Sequence, residues 1–242
     1  MSLVLDLLLV VMIFACAYRA RSRTVYRTVA NLLVLVAVFA GASLLSLVFR
    51  PVVQSLFVEP PYARTVAKDM ADMVSASVLN DPYKTVESID VPALIEKQPD
   101  QFAQLTGRYN VTPQTVLEAV QTAPENDMTP SEAALKSIVK PAANDVSKGI
   151  AFAALFLILW LIFGAIAKKI YEKRALGVKI TRNPAVSLCL GILIGILWCY
   201  TLVATLIKCG YPYDFGLFSL LNLRSGVDNS FLTKYLVLFN PF

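Results

Sequence analysis

Four long apolar runs dominate the pattern along the chain, and the polar positions gather between them. The first run spans Leu3 to Tyr18 and carries one charge, Asp6, near its start. The second spans Thr28 to Phe49 without a charge and meets Arg50-Pro51. The third, Gly149 to Ala167, lies between Lys148 and Lys168-Lys169, and the fourth, Asn183 to Ile207, stops at Lys208. A bilayer core about 30 Å thick needs roughly 20 apolar residues as a helix. The pattern therefore predicts an all-α, polytopic membrane protein with four transmembrane helices and a helical extracytoplasmic insert between the second and third.

That insert, Glu59 to Lys148, reads as short helices separated by breakers. Val66, Met70, Met73, Val74 and Val78 recur at spacings of three and four, which predicts an amphipathic helix over Tyr62 to Leu79 ended by Asn80-Asp81-Pro82. Asp90 is placed to cap a helix through Lys97, and Thr112-Pro113 reads as an N-cap with proline at the first helical position. Thr129 and Glu132 have capping-box spacing, and the helix they open is expected to pass Pro141 and continue into the third span. No alternating β pattern, phosphate-binding glycine loop or repeat is present.

Charge gives the orientation. Arg19, Arg21, Arg23 and Arg27 follow the first span with no acid among them. Lys168, Lys169, Lys173, Arg174, Lys179 and Arg182 lie between the third and fourth spans against Glu172 alone. Short basic loops stay in the cytoplasm. Both chain ends and the insert are then expected outside, and the insert, with eight basic and thirteen acidic residues, carries a net charge of −5. Ala15-Cys16-Ala17 has the small-residue look of a cleavage site. A signal peptide needs a basic leader, however, and here only Asp6 precedes the run's centre. A lipoprotein signal at Cys16 meets the same objection, so a retained first helix is expected. The division that follows is 1–58 for two spans, 59–148 for the insert, 149–208 for two more spans, and 209–242 for an aromatic tail at the outer membrane surface.

Over 242 residues, 57 % apolar and 16 % charged residues argue against a soluble domain, a disordered chain and a nucleic-acid binder. The mean hydropathy is +0.62, and the net charge of +5 is explained by the basic turns. Histidine is absent, which removes the commonest general base and metal ligand. The four cysteines, Cys16, Cys189, Cys199 and Cys209, all sit in or beside spans and read as packing residues. Ser131 with Lys136 and Ser147 with Lys148 are conceivable Ser-Lys pairs, and Asp69 with Asp72 a conceivable acid pair. The plainer reading of each is a solvated helix face. No catalytic, cofactor-binding or metal site is expected, and no small-molecule substrate is identified.

Ion relays need charges deep within spans, and the second to fourth spans have none, only Asn31, Ser43 and Ser46 on the second. This disfavours a secondary transporter but leaves a small oligomeric channel open. On the fourth span Ser187, Gly191, Gly195 and Cys199 share a face at small-xxx-small spacing, which predicts a helix-packing interface within or between chains. Expected partners are the lipid bilayer and a second copy or other membrane proteins.

The chain resembles the colicin V production protein family (CvpA), small bacterial inner-membrane proteins with four spans. The residues that carry the resemblance are Asp6 within Val4-Leu5-Asp6-Leu7-Leu8, the arginine-rich turn, Leu188 to Leu197 with Gly191 and Gly195, and the ending from Ser230-Phe231-Leu232 through Tyr235-Leu236 to Asn240-Pro241. Ala17 and Ala20 stand where that family usually has glycines, and Trp198 and Cys199 where it often has a basic residue and a third glycine. The resemblance implies a non-enzymatic scaffold or accessory factor in toxin production, secretion or envelope maintenance, seated in the bacterial cytoplasmic (inner) membrane.

Overall fold

The computed structural model describes residues 2–174, 183–209 and 229–238. The described elements are α1 (Ser2–Arg21), α2 (Val25–Val53), a π-helical turn (Gln54–Val58), α3 (Glu59–Val74), α4 (Pro82–Glu87), α5 (Val91–Lys97), α6 (Pro99–Arg108), α7 (Pro113–Gln121), a 3-10 turn (Ala123–Asn126), α8 (Pro130–Arg174), α9 (Pro184–Cys209) and α10 (Phe231–Leu238). They fall into two compact units. Among the described residues, one holds 2–49, 149–174, 183–208 and 229–238, and the other holds 50–148 and 209.

The first unit is built from the four apolar runs. Four helices are long and apolar enough to cross a membrane, and this is a multi-pass membrane protein. Large apolar side chains face outward all along them: Phe14 is 70 % exposed, Leu44 69 % and Leu161 70 %. In water such a surface would aggregate, whereas lipid tails solvate it. The interior is small and aromatic. Phe39 meets Phe152 edge-on at 5.5 Å, and Trp198 meets both Phe156 and Trp160 edge-on at 5.3 Å. These rings pack with Leu35, Val38 and Ala42, all fully buried or nearly so.

Local chemistry sets the helix ends. Thr24 caps α2 by accepting from the Arg27 N–H, and Asn183 caps α9 by accepting from the Val186 N–H. Several boundaries differ from the sequence expectation. The first helix runs to Arg21, so Arg19 and Arg21 lie in its last turn, where cations complement the helix dipole. Arg27 lies inside α2, and Lys168, Lys169, Lys173 and Arg174 lie inside α8. Arg50-Pro51 does not end the second helix. Pro51 lacks an N–H but sits within the helix, and the π-helical turn follows directly after Val53. Lys179, Arg182 and most of the aromatic tail lie outside the described residues.

The second unit has its own core. Val66, Met70, Val86, Val91, Phe102, Leu105, Val116, Leu135 and Ile138 are buried together, contributed by α3 to α8. The helix expected over Tyr62 to Leu79 instead spans Glu59 to Val74. Ser75 turns left-handed (φ 52°), and the Ala76 N–H donates back to the Ala71 carbonyl at 2.9 Å, which closes the helix five residues before Asn80. The predicted caps form: Asp90 accepts from the Ala93 N–H and Thr112 from the Thr115 N–H. Thr129 and Glu132 satisfy each other's backbone N–H groups, and α8 passes through Pro141 into the third apolar run. Buried hydroxyls tie the short helices together. Thr85 accepts from the Leu79 N–H at 2.9 Å, and Ser131 donates to the Ile89 carbonyl at 3.3 Å. Tyr109, 2 % exposed, packs against the Tyr62 ring. Its burial, with the Asp69 charge adding, pushes its hydroxyl up to about 12.

Candidate functional site

Ser187, Gly191, Gly195 and Cys199 face α1 of the same chain. A Cβ added at Gly191 would lie 2.5 Å from Ala20 Cβ and 2.8 Å from Ala17 Cα. One added at Gly195 would lie 2.7 Å from Ile13 Cα. Only a helix without Cβ atoms at these positions admits α1 so closely. The two polar residues of the face complete the seam. Ser187 donates to the Arg23 carbonyl at 3.2 Å at one end, and the buried Cys199 thiol donates to the Leu9 carbonyl at 3.4 Å at the other. Ala17 and Ala20, 6 % and 4 % exposed, are the small residues on the opposing side. The face is therefore filled from within the chain.

At one end of α1, Asp6 holds α10. Its carboxylate accepts from the Ser230 hydroxyl at 2.6 Å, the Leu232 N–H at 3.0 Å and the Phe231 N–H at 3.2 Å. Ser230 also accepts from the Thr233 N–H at 3.1 Å, so it is the N-cap of α10. A carboxylate at a helix N-terminus meets the orphan donors and the positive end of the dipole together. Below it Leu232 and Leu236 pack with Leu5, Leu9, Cys199 and Val203.

At the other end of α1 a half-open cavity of about 190 Å³ lies between the helices. Arg19 and Arg23 line it, with Thr28 and Asn31 from α2; Leu35, Trp160 and Trp198 form its apolar wall. Arg21 and Arg27 do not line it; Arg19 is exposed like them, and Arg23 is half-buried. Burial, then the charges of Arg19 and Arg27, pulls the Arg23 guanidinium below its ordinary value, though it remains a cation at neutral pH.

The other polar residues of the apolar unit satisfy themselves locally. Ser43 donates to the Phe39 carbonyl, Ser46 to Ser43, Thr201 to Leu197 and Thr205 to Thr201. The Ser-Lys pairs read from sequence are not brought together. Ser131 bonds Ile89 and Ser147 bonds Ala143, while Lys136 lies over the Tyr83 ring and Lys148 pairs with Asp145 at 3.6 Å. Asp69 pairs with Arg108 at 3.5 Å. Among the described residues no group of three or more metal-ligating side chains is assembled. The α1 partner of the glycine face, the Asp6 clasp and the cavity were not singled out in the sequence. Ala17 and Ala20 were the available signal for the first, and the placement of Asn31 beside the arginine turn was the signal for the last.

Comparison with family models, with curated proteins and with solved structures gives no match.

Proposed function

We propose that this chain is a non-enzymatic membrane scaffold of the colicin V production type, an accessory factor in toxin secretion or envelope maintenance. It would sit in a bacterial inner membrane with the arginine turn in the cytoplasm and the acidic unit outside. One observation supports the reading above the others: most hydrogen-bonded polar side chains of the apolar unit either join two elements or bond their own helix. Asp6, Ser187 and Cys199 bridge elements, and Ser43 and Ser46 bond their own helix, which leaves them poorly suited to lining a conduction path. The second unit has its own apolar core and a net acidic sequence, which suits a part that meets partners outside the membrane.

The test pairs flux with complementation. Proteoliposomes containing the chain are expected to show no solute or ion leak above protein-free liposomes, whereas a steady conductance would replace the scaffold reading with the channel. In a strain lacking the chain, wild type should restore envelope integrity. The variant carrying Glu87→Gln, Glu96→Gln, Asp100→Asn and Glu118→Gln, all exposed positions, should reach the membrane at wild-type level yet fail to restore it. Full restoration by that variant would remove the acidic unit as the partner face.

A further inference from the structure

The basic turns explain orientation, and any of their arginines would serve that purpose. Two of the four in the first turn do something more. Arg19 and Arg23 line a half-open cavity between the helices, and Arg21 and Arg27 do not. The ion pairs formed among the described residues are Arg108 with Asp69 and Lys148 with Asp145, so neither cavity arginine has a carboxylate partner there. Asp6, the acid of the same helix, is engaged by Ser230 and the α10 backbone. Two guanidinium groups brought together without an acid repel each other, and an anion between them relieves the repulsion.

The rest of the lining narrows the choice of anion. Asn31 projects into the cavity from within the second apolar run and makes no hydrogen bond among the described residues. The side chain is half-buried, so its amide is free to bond a ligand in the cavity. Thr28 donates its hydroxyl to the Thr24 carbonyl, which leaves its oxygen lone pairs to accept. Beyond these polar groups the wall is Leu35, Trp160 and Trp198. A soluble phosphate ion would gain nothing from that wall. An amphiphile with an anionic head would use both halves. The volume of about 190 Å³ is below the roughly 300–1,000 Å³ of a pocket that swallows a whole drug-sized ligand, so it suits a headgroup whose acyl chains remain in the bilayer. The site is also built rather than incidental. Ser187 fixes the Arg23 backbone to α9, and Gly191 seats Ala20 beside it.

We propose that this cavity binds the phosphodiester headgroup of an anionic phospholipid of the phosphatidylglycerol type, with Arg19 and Arg23 on the phosphate, Asn31 on its polar neighbours and the two tryptophans against the glycerol and first methylenes. Basic pockets between membrane helices recognise such headgroups by this chemistry. The inference does not depend on the scaffold reading, since a channel or an accessory factor could equally carry a structural lipid.

The chain has two tryptophans, and both line the cavity, so its own fluorescence reports occupancy. The full chain in neutral detergent is titrated with dioleoylphosphatidylglycerol or dioleoylphosphatidylcholine, each brominated on its acyl chains. Saturable quenching by the first at one lipid per chain, without saturation by the second, is expected. Arg19→Gln with Arg23→Gln should weaken it by roughly tenfold or more, and Arg21→Gln with Arg27→Gln, which removes the same charge, by no more than about twofold. Asn31→Leu, which keeps every charge, should also weaken it and decides the matter if the first pair does not fold. Equal losses in both arginine pairs would show diffuse surface attraction and overturn the site. Displacement of the lipid by stoichiometric inorganic phosphate would assign the cavity to the free ion instead and overturn the lipid. Absence of saturable quenching in the wild type would end the proposal.

Discussion

Replacing Gly191 with alanine forces α1 and α9 apart, and the double variant Gly191→Leu, Gly195→Leu does not form the folded bundle. The reason is geometric. At both glycines the nearest obstacles include backbone atoms, Ala17 Cα at 2.8 Å and Ile13 Cα at 2.7 Å from the added Cβ, and backbone cannot rotate out of the way. Overpacking of this kind costs about 1–3 kcal/mol per site, occasionally more. The seam also carries the Ser187 and Cys199 hydrogen bonds, which a separation would lengthen together. Gly164 is the control, since a Cβ there meets nothing within 4 Å. Gly164→Ala should be neutral or slightly stabilising because alanine loses less backbone entropy in a helix. The readout is thermal stability in detergent, followed by monodispersity after heating. If Gly191→Ala and Gly164→Ala behave alike, the close approach of α1 is not a determinant of stability.

Asp6→Ala is expected to release α10 from the bundle. Three donors lose one acceptor, and two of them are backbone N–H groups in the first turn of a helix of eight residues, which is too short to persist alone. Hydrogen bonds to a charged group and the favourable end of the helix dipole together amount to about 3 kcal/mol. That corresponds to roughly hundredfold faster amide exchange across 231–238, with little change in α2 or α8. Asp6→Asn keeps one oxygen acceptor and should fall between the two. Hydrogen exchange read by mass spectrometry separates these outcomes. Wild-type protection in Asp6→Ala would mean that the apolar contacts of Leu232 and Leu236 hold α10 without the carboxylate.

The spans were legible because lipid imposes its requirement residue by residue. An uncharged run such as Thr28 to Phe49 has few alternatives to a membrane helix. The caps at Asp90, Thr112 and Thr129 were legible because the hydrogen bonds that make them are local. The end of α3 was not. A serine in the left-handed region has no distinctive spacing, and Asn80-Asp81-Pro82 offered a stronger signal that marks the start of α4, where Asp81 is the cap. The glycine face was legible as a face, but its occupant was not. Periodicity places Gly191 and Gly195 on one side of α9 and says nothing of which helix meets them. Ala17 and Ala20 looked like substitutions for glycine when read along α1. Opposite Gly191 they are the matching small residues. The meeting of Asp6 with Ser230 joins residues more than two hundred positions apart, and no local pattern predicts it. Likewise, four arginines in one turn look equivalent in sequence, and only packing divides them into two that line the cavity and two that do not.

α1 lies along the glycine face of α9 in its own chain. A single cysteine placed at Leu9, whose carbonyl accepts from the Cys199 thiol, measures this directly. With Cys16, Cys189 and Cys209 changed to serine, Leu9→Cys and native Cys199 should oxidise in membranes to a disulfide within one chain, seen as a faster-migrating monomer that dithiothreitol reverses. A disulfide-linked dimer as the main product, or no cross-link under any oxidant, would contradict it.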